Sequence, residues 1–288
     1  MPADALYCAG LDLGSTMTKV VIIDARERII ARVESHTGAE HRRLANRVME
    51  EALAQAGLPV TALSYIVATG YGRINIPFAD RQVTELTCHA RGVASFFPSA
   101  RTALDIGGQD AKAMRLGEGG KLLNFVMNDR CAAGTGRFLE VTAGTLGIPL
   151  EDLGKLSLAS QHPVKISNTC TIFAQQEINA HLSEGAAVED IVAGLHEAIA
   201  SRAVALLRRL RVEPEVVFTG GVAKNTGMVR AISRQLGREV LVPEDPLVSG
   251  AFGAALLGRE IVAQAQAKGE PVKRADRKLT EATFFEQG

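Results

Sequence analysis

The sequence predicts an α/β protein built from two related halves. Short β-branched runs alternate with stretches that carry apolar residues at helical spacing along most of the 288 residues. The order strand, aspartate, glycine turn, strand occurs twice, in YCAGLDLGSTMTKVVII near the amino terminus and in RTALDIGGQDAKAMRL after residue 99. Because a repeat of this kind indicates a duplicated unit, we expect the two halves to face one another across a cleft.

The first half is predicted to open with an antiparallel β unit. Three β-branched runs are separated by turn residues: LYCAGLDLG, KVVIID and RIIARVESH. A helix follows in HRRLANRVMEEALAQAGL, which ends at Gly57, then a strand in SYIVATG and a second helix from about Thr84 to Phe97.

The second half continues through KLLNFVMN, with helices predicted near 134–147, 171–184 and 188–210. The strand EVVFTGG, a helix from about Asn225 and the strand REVLVP come next. A last apolar helix, SGAFGAALLGREIVAQAQ, is expected to pack back on the first half. The predicted domains are therefore 1–98 with 249–266, and 99–248, followed by a charged C-terminal extension over 267–288.

Composition limits the classes of partner and compartment. Lys+Arg and Asp+Glu are each 32, so the net charge is zero and does not favour a nucleic-acid or membrane-surface partner. No segment resembles a signal peptide or a membrane span, and we expect a cytoplasmic protein. The four cysteines lack the density of a secreted disulfide scaffold, which leaves free thiols, nucleophiles or metal ligands.

The first glycine loop, in GLDLGSTMTK, has the residue types of a phosphate site. Asp12 ends an apolar strand, Gly14, Ser15 and Thr16 form a tight turn, and Lys19 follows. Small turn residues let backbone N–H groups approach phosphate oxygens, and a carboxylate can hold Mg²⁺ or its waters. Taken alone, the segment is equally compatible with an ordinary hairpin turn.

A second glycine loop strengthens the nucleotide interpretation. LDIGGQDAK places Asp105, Gly107, Gly108 and Gln109 in the same strand-to-turn context. Two such loops in one chain are far less compatible with coincidence than one.

A third glycine turn, in FTGGVAKN, follows the apolar strand at 216–218. Its Gly220 and Gly221 are candidates to contact an adenine or a ribose through bare backbone. Junctions of this kind are also common packing devices, so the turn alone is weak evidence for a nucleotide.

Two of the cysteines have a context that favours a metal site. Cys131 in NDRCAAGTGRFLE and Cys170 in ISNTCTIFAQQE each come immediately ahead of a predicted helix, whose start stabilises a thiolate or an anionic cluster. Cys8 in a strand and Cys88 in a helix better fit the role of small buried hydrophobes.

One chain supplies only two thiolates, whereas a [4Fe–4S] cluster or a structural zinc needs four ligands. Two solutions remain open. His89 and His162 would complete a mixed site, or a twofold dimer would place two cysteines from each chain around one cluster.

Together, GLDLGSTMTK, LDIGGQD, FTGGVAKN and SGAFGAALLG resemble the motifs of the ATPase superfamily of sugar kinases, actin and heat-shock chaperones. The resemblance implies two ribonuclease-H-like domains that bind Mg-ATP in the cleft between them. A Walker-type Gly-x-x-x-x-Gly-Lys-Ser/Thr motif is absent from the sequence, which disfavours a P-loop NTPase.

With ATGYGR, VTELTCHARG, MNDRCAAGTGRFLE and NTCTIFAQQE included, the chain resembles the activators of 2-hydroxyacyl-CoA dehydratases and the ATPase subunits of benzoyl-CoA reductases. This resemblance implies two like subunits that share one [4Fe–4S] cluster, with Cys131 and Cys170 as the ligands of each. It also implies an iron–sulfur dehydratase or reductase as electron acceptor and a low-potential donor such as ferredoxin or flavodoxin.

The positions of the loop residues suggest individual roles in ATP hydrolysis. Gln109 would orient the attacking water, while Asp12 and Asp105 act on Mg²⁺ and that water. Thr135 and Gly136 would sense the phosphates a few residues after Cys131. A sugar or N-acyl-sugar kinase, or a non-catalytic actin-like scaffold, would share the loops but would not need the two cysteines.

Overall fold

The computed structural model describes residues 6–128, 131–167, 170–275 and 279, and its internal contacts divide into two compact units. Unit 1 comprises the described residues of 1–98, 118–122 and 247–288, and unit 2 comprises those of 99–117 and 123–246. Each unit contains one β-sheet. The mixed α/β class predicted from the sequence is confirmed.

The strands and helices are defined here in chain order. The strands are β1 (Tyr7–Leu13), β2 (Met17–Ile23), β3 (Ile29–His36), β4 (Leu63–Thr69), β5 (Arg81–Gln82), β6 (Thr102–Ile106), β7 (Ala111–Leu116), β8 (Leu122–Asn128) and β9 (Val216–Thr219). The helices are α1 (His41–Ala56), α2 (Glu85–Phe96), α3 (Gly136–Leu146), α4 (Leu153–Ala159), α5 (Thr171–Ser183), α6 (Val188–Arg208), α7 (Thr226–Leu236) and α8 (Ser249–Lys268).

The sheet of unit 1 has the strand order β3-β2-β1-β4-β5. Strand β1 is antiparallel to β2 and parallel to β4, and β2 is antiparallel to β3, which confirms the predicted three-stranded antiparallel start. Helix α8 packs in this unit: a Cβ added at Gly253 would lie 1.8 Å from the Cys88 carbonyl oxygen of α2. Glycine is therefore required at this crossing, because any side chain would push the two helices apart.

The sheet of unit 2 repeats the order of the first four strands of unit 1, as β8-β7-β6-β9. Strand β6 is antiparallel to β7 and parallel to β9, the same relations that β1 has with β2 and β4. The core of this unit includes the fully buried Phe138, Leu195 and Phe218. Within the described residues, the two sheets therefore share one topology.

Several elements differ from the sequence prediction. The segment REVLVP does not form a strand: it pairs with β9 only at Leu241, because Pro243 follows two residues later and has no N–H for the ladder. The short helix α4 and the two-residue strand β5 were not predicted. Of the predicted extension, residues 276–278 and 280–288 lie outside the described residues. Among the described residues, no helix combines the length and apolar character needed to cross a bilayer.

Candidate functional site

The first candidate loop joins β1 to β2 and places a buried carboxylate at its base. Asp12 is 1% exposed and lies directly opposite Lys19, whose Nζ donates to Asp12 Oδ2 at 3.0 Å. The Gly14 N–H closes the turn on the Met17 carbonyl oxygen at 3.2 Å. Within the described part of the chain, Asp12 Oδ1 is buried and accepts no hydrogen bond. A buried carboxylate oxygen of this kind is a suitable ligand for a cation or for its bound water.

The second candidate loop joins β6 to β7 and has the same construction. Asp105 is 3% exposed and lies opposite Lys112, whose Nζ is 3.4 Å from Asp105 Oδ2 and 2.6 Å from Asp110 Oδ1. The Gly107 N–H closes this turn on the Asp110 carbonyl oxygen at 3.0 Å. Lys112 was not among the predicted site residues. The signal for it was the seven-residue spacing that Asp105–Lys112 shares with Asp12–Lys19.

A glycine on the neighbouring parallel strand lies against each aspartate. Gly70 follows β4 with φ +84°, and Gly220 follows β9 with φ +87°. A Cβ at Gly70 would lie 2.4 Å from Asp12 Oδ1, and a Cβ at Gly220 would lie 2.7 Å from Asp105 Oδ1. Both positions therefore need glycine for its backbone conformation and for space. Gly70 was missed in the prediction, although ATG in β4 matches FTG in β9.

The other predicted nucleotide residues lie on the turns themselves. Ser15, Gln109 and Gly221 are exposed. The remaining loop residues are half-buried: Gly14, Thr16, Gly107 and Gly108. Turn positions of this kind leave backbone N–H groups and small side chains open to a ligand. Their contacts with a nucleotide stay predictions.

The second loop is hydrogen-bonded to the start of α3. The N–H groups of Gly136 and Arg137 donate to the carbonyl oxygens of Gly107 and Gly108, each at 2.8 Å. Thr135 is fully buried, and its hydroxyl donates to the Ala132 carbonyl oxygen at 2.9 Å. Two N–H groups that a helix start would otherwise offer to phosphate are therefore used by the loop. The predicted phosphate contact of Thr135 and Gly136 stays a prediction.

Cys131 and Cys170 occupy equivalent local positions in unit 2. Cys131 directly precedes a 3₁₀ turn over Ala132–Gly134, and Cys170 is the residue before the first turn of α5. Both have extended backbone conformations and half-buried side chains. Two half-buried cysteines, one before a 3₁₀ turn and one before a helix, are a donor set that fits an iron–sulfur cluster.

The other two cysteines differ sharply in environment. Cys8 on β1 and Cys88 on α2 are buried, and desolvation raises the pKa of each thiol to about 12. A buried thiol with so high a pKa is protonated near neutral pH and is a poor nucleophile.

Within the described residues, Cys131 and Cys170 are not part of a complete metal site. Among the described residues, no set of three clustered His, Cys, Asp or Glu side chains includes either cysteine. His162 is exposed, and His89 is buried on α2 in unit 1, 3.8 Å from Glu85 Oε1. The mixed cysteine–histidine site stays a prediction.

Large apolar side chains are exposed near both cysteine segments in the sequence. Ile172 and Phe173, which follow Cys170, are 63% and 59% exposed. Leu123 and Phe125 are exposed on the edge strand β8, which ends three residues before Cys131.

The chain is similar to known ATPases over nearly its whole length. The family described as the BadF/BadG/BcrA/BcrD ATPase family matches residues 9–258. The 2-hydroxyisocaproyl-CoA dehydratase activator of Clostridioides difficile is 49% identical over 253 residues, covering 87% of this chain and 94% of the activator. One subunit of the benzoyl-CoA reductase from Thauera aromatica is 31% identical over 261 residues, covering 87% of this chain and 92% of that polypeptide.

Solved structures are similar to this chain as well. The activator of the 2-hydroxyisocaproyl-CoA dehydratase from Clostridium difficile with bound ADPNP superposes with a TM-score of 0.87 at 46% identity, covering 93% of this chain and all of that chain. A ROK family glucokinase from Streptomyces griseus, covering 88% of this chain and 99% of its own, has a TM-score of 0.53 at 16% identity, which shows the shared fold alone.

Proposed function

The chain belongs to the BadF/BadG/BcrA/BcrD ATPase family, and on that premise we propose that it is an ATP-hydrolysing activator that delivers low-potential electrons to an iron–sulfur enzyme acting on CoA thioesters. A 2-hydroxyacyl-CoA dehydratase is the favoured acceptor, because the dehydratase activator is the more similar relative, at 49% identity against 31% for the benzoyl-CoA reductase polypeptide. The observation that carries the proposal is the hydrogen-bonded connection between the second loop and the segment of Cys131.

The ATPase part of the proposal is supported by the two buried aspartates. Each carboxylate is held by a lysine on the facing strand, so its position is fixed before any ligand binds. Asp12 and Asp105 would hold Mg²⁺ or its waters, and the exposed Gln109 would orient the attacking water. The glycine turns would supply backbone N–H groups to the phosphates, as small residues allow.

The electron-transfer part is supported by the paired cysteines. Cys131 and Cys170 would each contribute a thiolate, and a second like subunit would contribute two more. When bound, a [4Fe–4S] cluster supplies one-electron storage at low potential. The exposed Ile172 and Phe173 beside Cys170 are the side chains that a second subunit would cover. Ferredoxin or flavodoxin would serve as the donor.

Coupling between the two parts would use the backbone. A change in the second loop on hydrolysis would act on Gly107 and Gly108, whose carbonyl oxygens hold the start of α3. The 3₁₀ turn between α3 and Cys131 would transmit that change to the sulfur. Nucleotide-dependent loop rearrangements commonly drive larger movements in this way.

A sugar kinase is the alternative that the fold permits. The likeness to the glucokinase is at the level of fold only, and a kinase has no use for two half-exposed thiols at helix starts. Iron analysis separates the two functions, because a kinase purified without oxygen contains no iron and is colourless.

The experiment that tests the proposal measures iron, acid-labile sulfide and molecular mass on strictly anaerobically purified protein. We expect about four irons per two chains. Cys131→Ala and Cys170→Ala should each lose the iron while still binding ATP. Cys88→Ala is the matched control and should retain it, because that thiol is buried elsewhere in the fold. An iron-free protein that resists reconstitution but hydrolyses ATP would contradict the proposal.

A further inference from the structure

We propose that Arg202 is a positioning residue for the Cys131 sulfur and that it raises the reduction potential of the cluster. This inference rests on the proposed function, since it concerns a ligand of that cluster. Arg202 lies on α6, outside every motif that identified the family, and no sequence pattern singles it out.

The contact is direct. Arg202 Nη1 donates to Cys131 Sγ at 3.7 Å, across 71 residues of sequence. Asn128 Nδ2 also donates to the Cys131 carbonyl oxygen at 2.9 Å. Asn128 therefore holds the backbone of Cys131, and Arg202 holds its sulfur. Of these two side chains, only Arg202 carries a charge.

The two candidate ligands, Cys131 and Cys170, differ in the hydrogen bonds that their sulfur atoms accept. The Cys170 carbonyl oxygen accepts the Ala174 N–H within α5, at 3.0 Å. Among the residues that the structure describes, none donates a hydrogen bond to Cys170 Sγ. A charged donor thus acts on one of the two sulfurs that each chain would contribute.

The direction in which Arg202 shifts the reduction potential follows from the positive charge of its guanidinium group. Hydrogen bonds to the ligand sulfurs are among the properties that set the potential of an iron–sulfur cluster. One electron from the low-potential donor adds one negative charge at the site, so a nearby guanidinium stabilises the reduced form more than the oxidised form. Arg202 should therefore make reduction by the donor easier.

A cavity beside Arg202 makes the residue testable. The cavity has a volume of about 290 Å³ and is lined by Asn128, Gly134, Arg202 and Arg209, among others. Because Arg202 lines this space, a different side chain at position 202 can be accommodated without overpacking the core. Arg209 lines the same cavity, and the donor to Cys131 Sγ is Arg202, which makes Arg209 a matched control.

The experiment is an anaerobic redox titration of the iron-loaded protein, followed by its visible and electron paramagnetic resonance spectra. Arg202→Met should shift the midpoint potential to more negative values. Arg202→Lys should restore part of the shift, because it keeps the charge but not the planar donor. Arg209→Met should leave the potential unchanged. An Arg202→Met potential equal to that of the wild type, or an equal shift in Arg209→Met, would overturn the inference.

Iron content separates this inference from the proposed function. If wild-type protein binds no cluster, the proposed function fails. If wild-type and Arg202→Met proteins both hold iron at the same potential, only the role of Arg202 fails. Should Arg202→Met, Arg202→Lys and Arg202→Gln all lose iron while their thermal unfolding is unchanged, Arg202 holds the cluster in place, and its assignment as a residue that tunes the potential is wrong.

Discussion

In unit 1 the loop after β1 is held by one ion pair, between Lys19 and Asp12. In unit 2 Lys112 forms ion pairs with two carboxylates at the loop after β6, those of Asp105 and Asp110. The side chain of Lys19 is 12% exposed and that of Lys112 is 2% exposed. The second loop hydrogen-bonds to the start of α3. The two loops thus share a scaffold suited to phosphate, and the second is also tied to the segment that carries Cys131.

Substitution of the two lysines tests whether the two loops are anchored differently. Lys112→Met should lower the free energy of unfolding by about 3–5 kcal/mol, because it leaves two carboxylates without their buried counter-charge. Lys19→Met should cost less, since it leaves one carboxylate rather than two without its counter-charge. Urea unfolding followed by circular dichroism measures both, with the exposed Lys155→Met of α4 as control. Equal losses in the two variants would show that the loops are anchored alike.

The dependence of stability on pH provides a second test, which concerns unit 2. His196 on α6 is fully buried, and burial lowers its pKa from the ordinary 6.5 to about 4. Its Nε2 lies 3.2 Å from Asn225 Nδ2, the side chain that caps α7. Because the folded pKa is below the unfolded one, the unfolded chain binds the proton first as the pH falls.

The stability that neutral His196 contributes is therefore complete above about pH 6.5 and is lost as the pH falls towards 4, by up to about 3 kcal/mol. His196→Gln keeps a polar partner for Asn225 but does not titrate, so its unfolding free energy should fall less between pH 7 and pH 4.5. The exposed His162→Gln should behave as the wild type. Parallel pH curves for His196→Gln and wild type would refute the assignment.

Substitutions at the connection between the second loop and α3 should change the free energy of unfolding only slightly. A Cβ at Gly136 would lie 3.1 Å from the Gly107 carbonyl oxygen and 3.3 Å from Gly108 Cα, whereas a Cβ at Gly144 in the same helix would have no neighbour within 4 Å. Gly136→Ala should cost about 1 kcal/mol by overpacking. Gly144→Ala should instead stabilise the protein by roughly 0.5–1 kcal/mol, as expected within a helix.

Urea unfolding of these two variants provides the measurement, and ATP hydrolysis by Gly136→Ala reports whether the contact matters to the loop. A gain in stability for both variants would show that α3 does not press on the second loop.

Much of the fold was predictable because its signals are local. The β-branched runs of β1 to β3, the helical spacing in α1 and the repeated Asp-x-Gly turns each depend on neighbours a few residues apart. The same holds for Cys131 and Cys170, whose positions before a helix are visible in the sequence.

The α/β class, the duplicated loops and the family could be predicted from short segments of the sequence taken in order. Contacts between residues far apart in the sequence became visible in the folded structure. Gly70 against Asp12 depends on strand register, and Arg202 against Cys131 depends on the packing of α6. Such contacts are set by the packing of whole elements, and no local pattern encodes that packing.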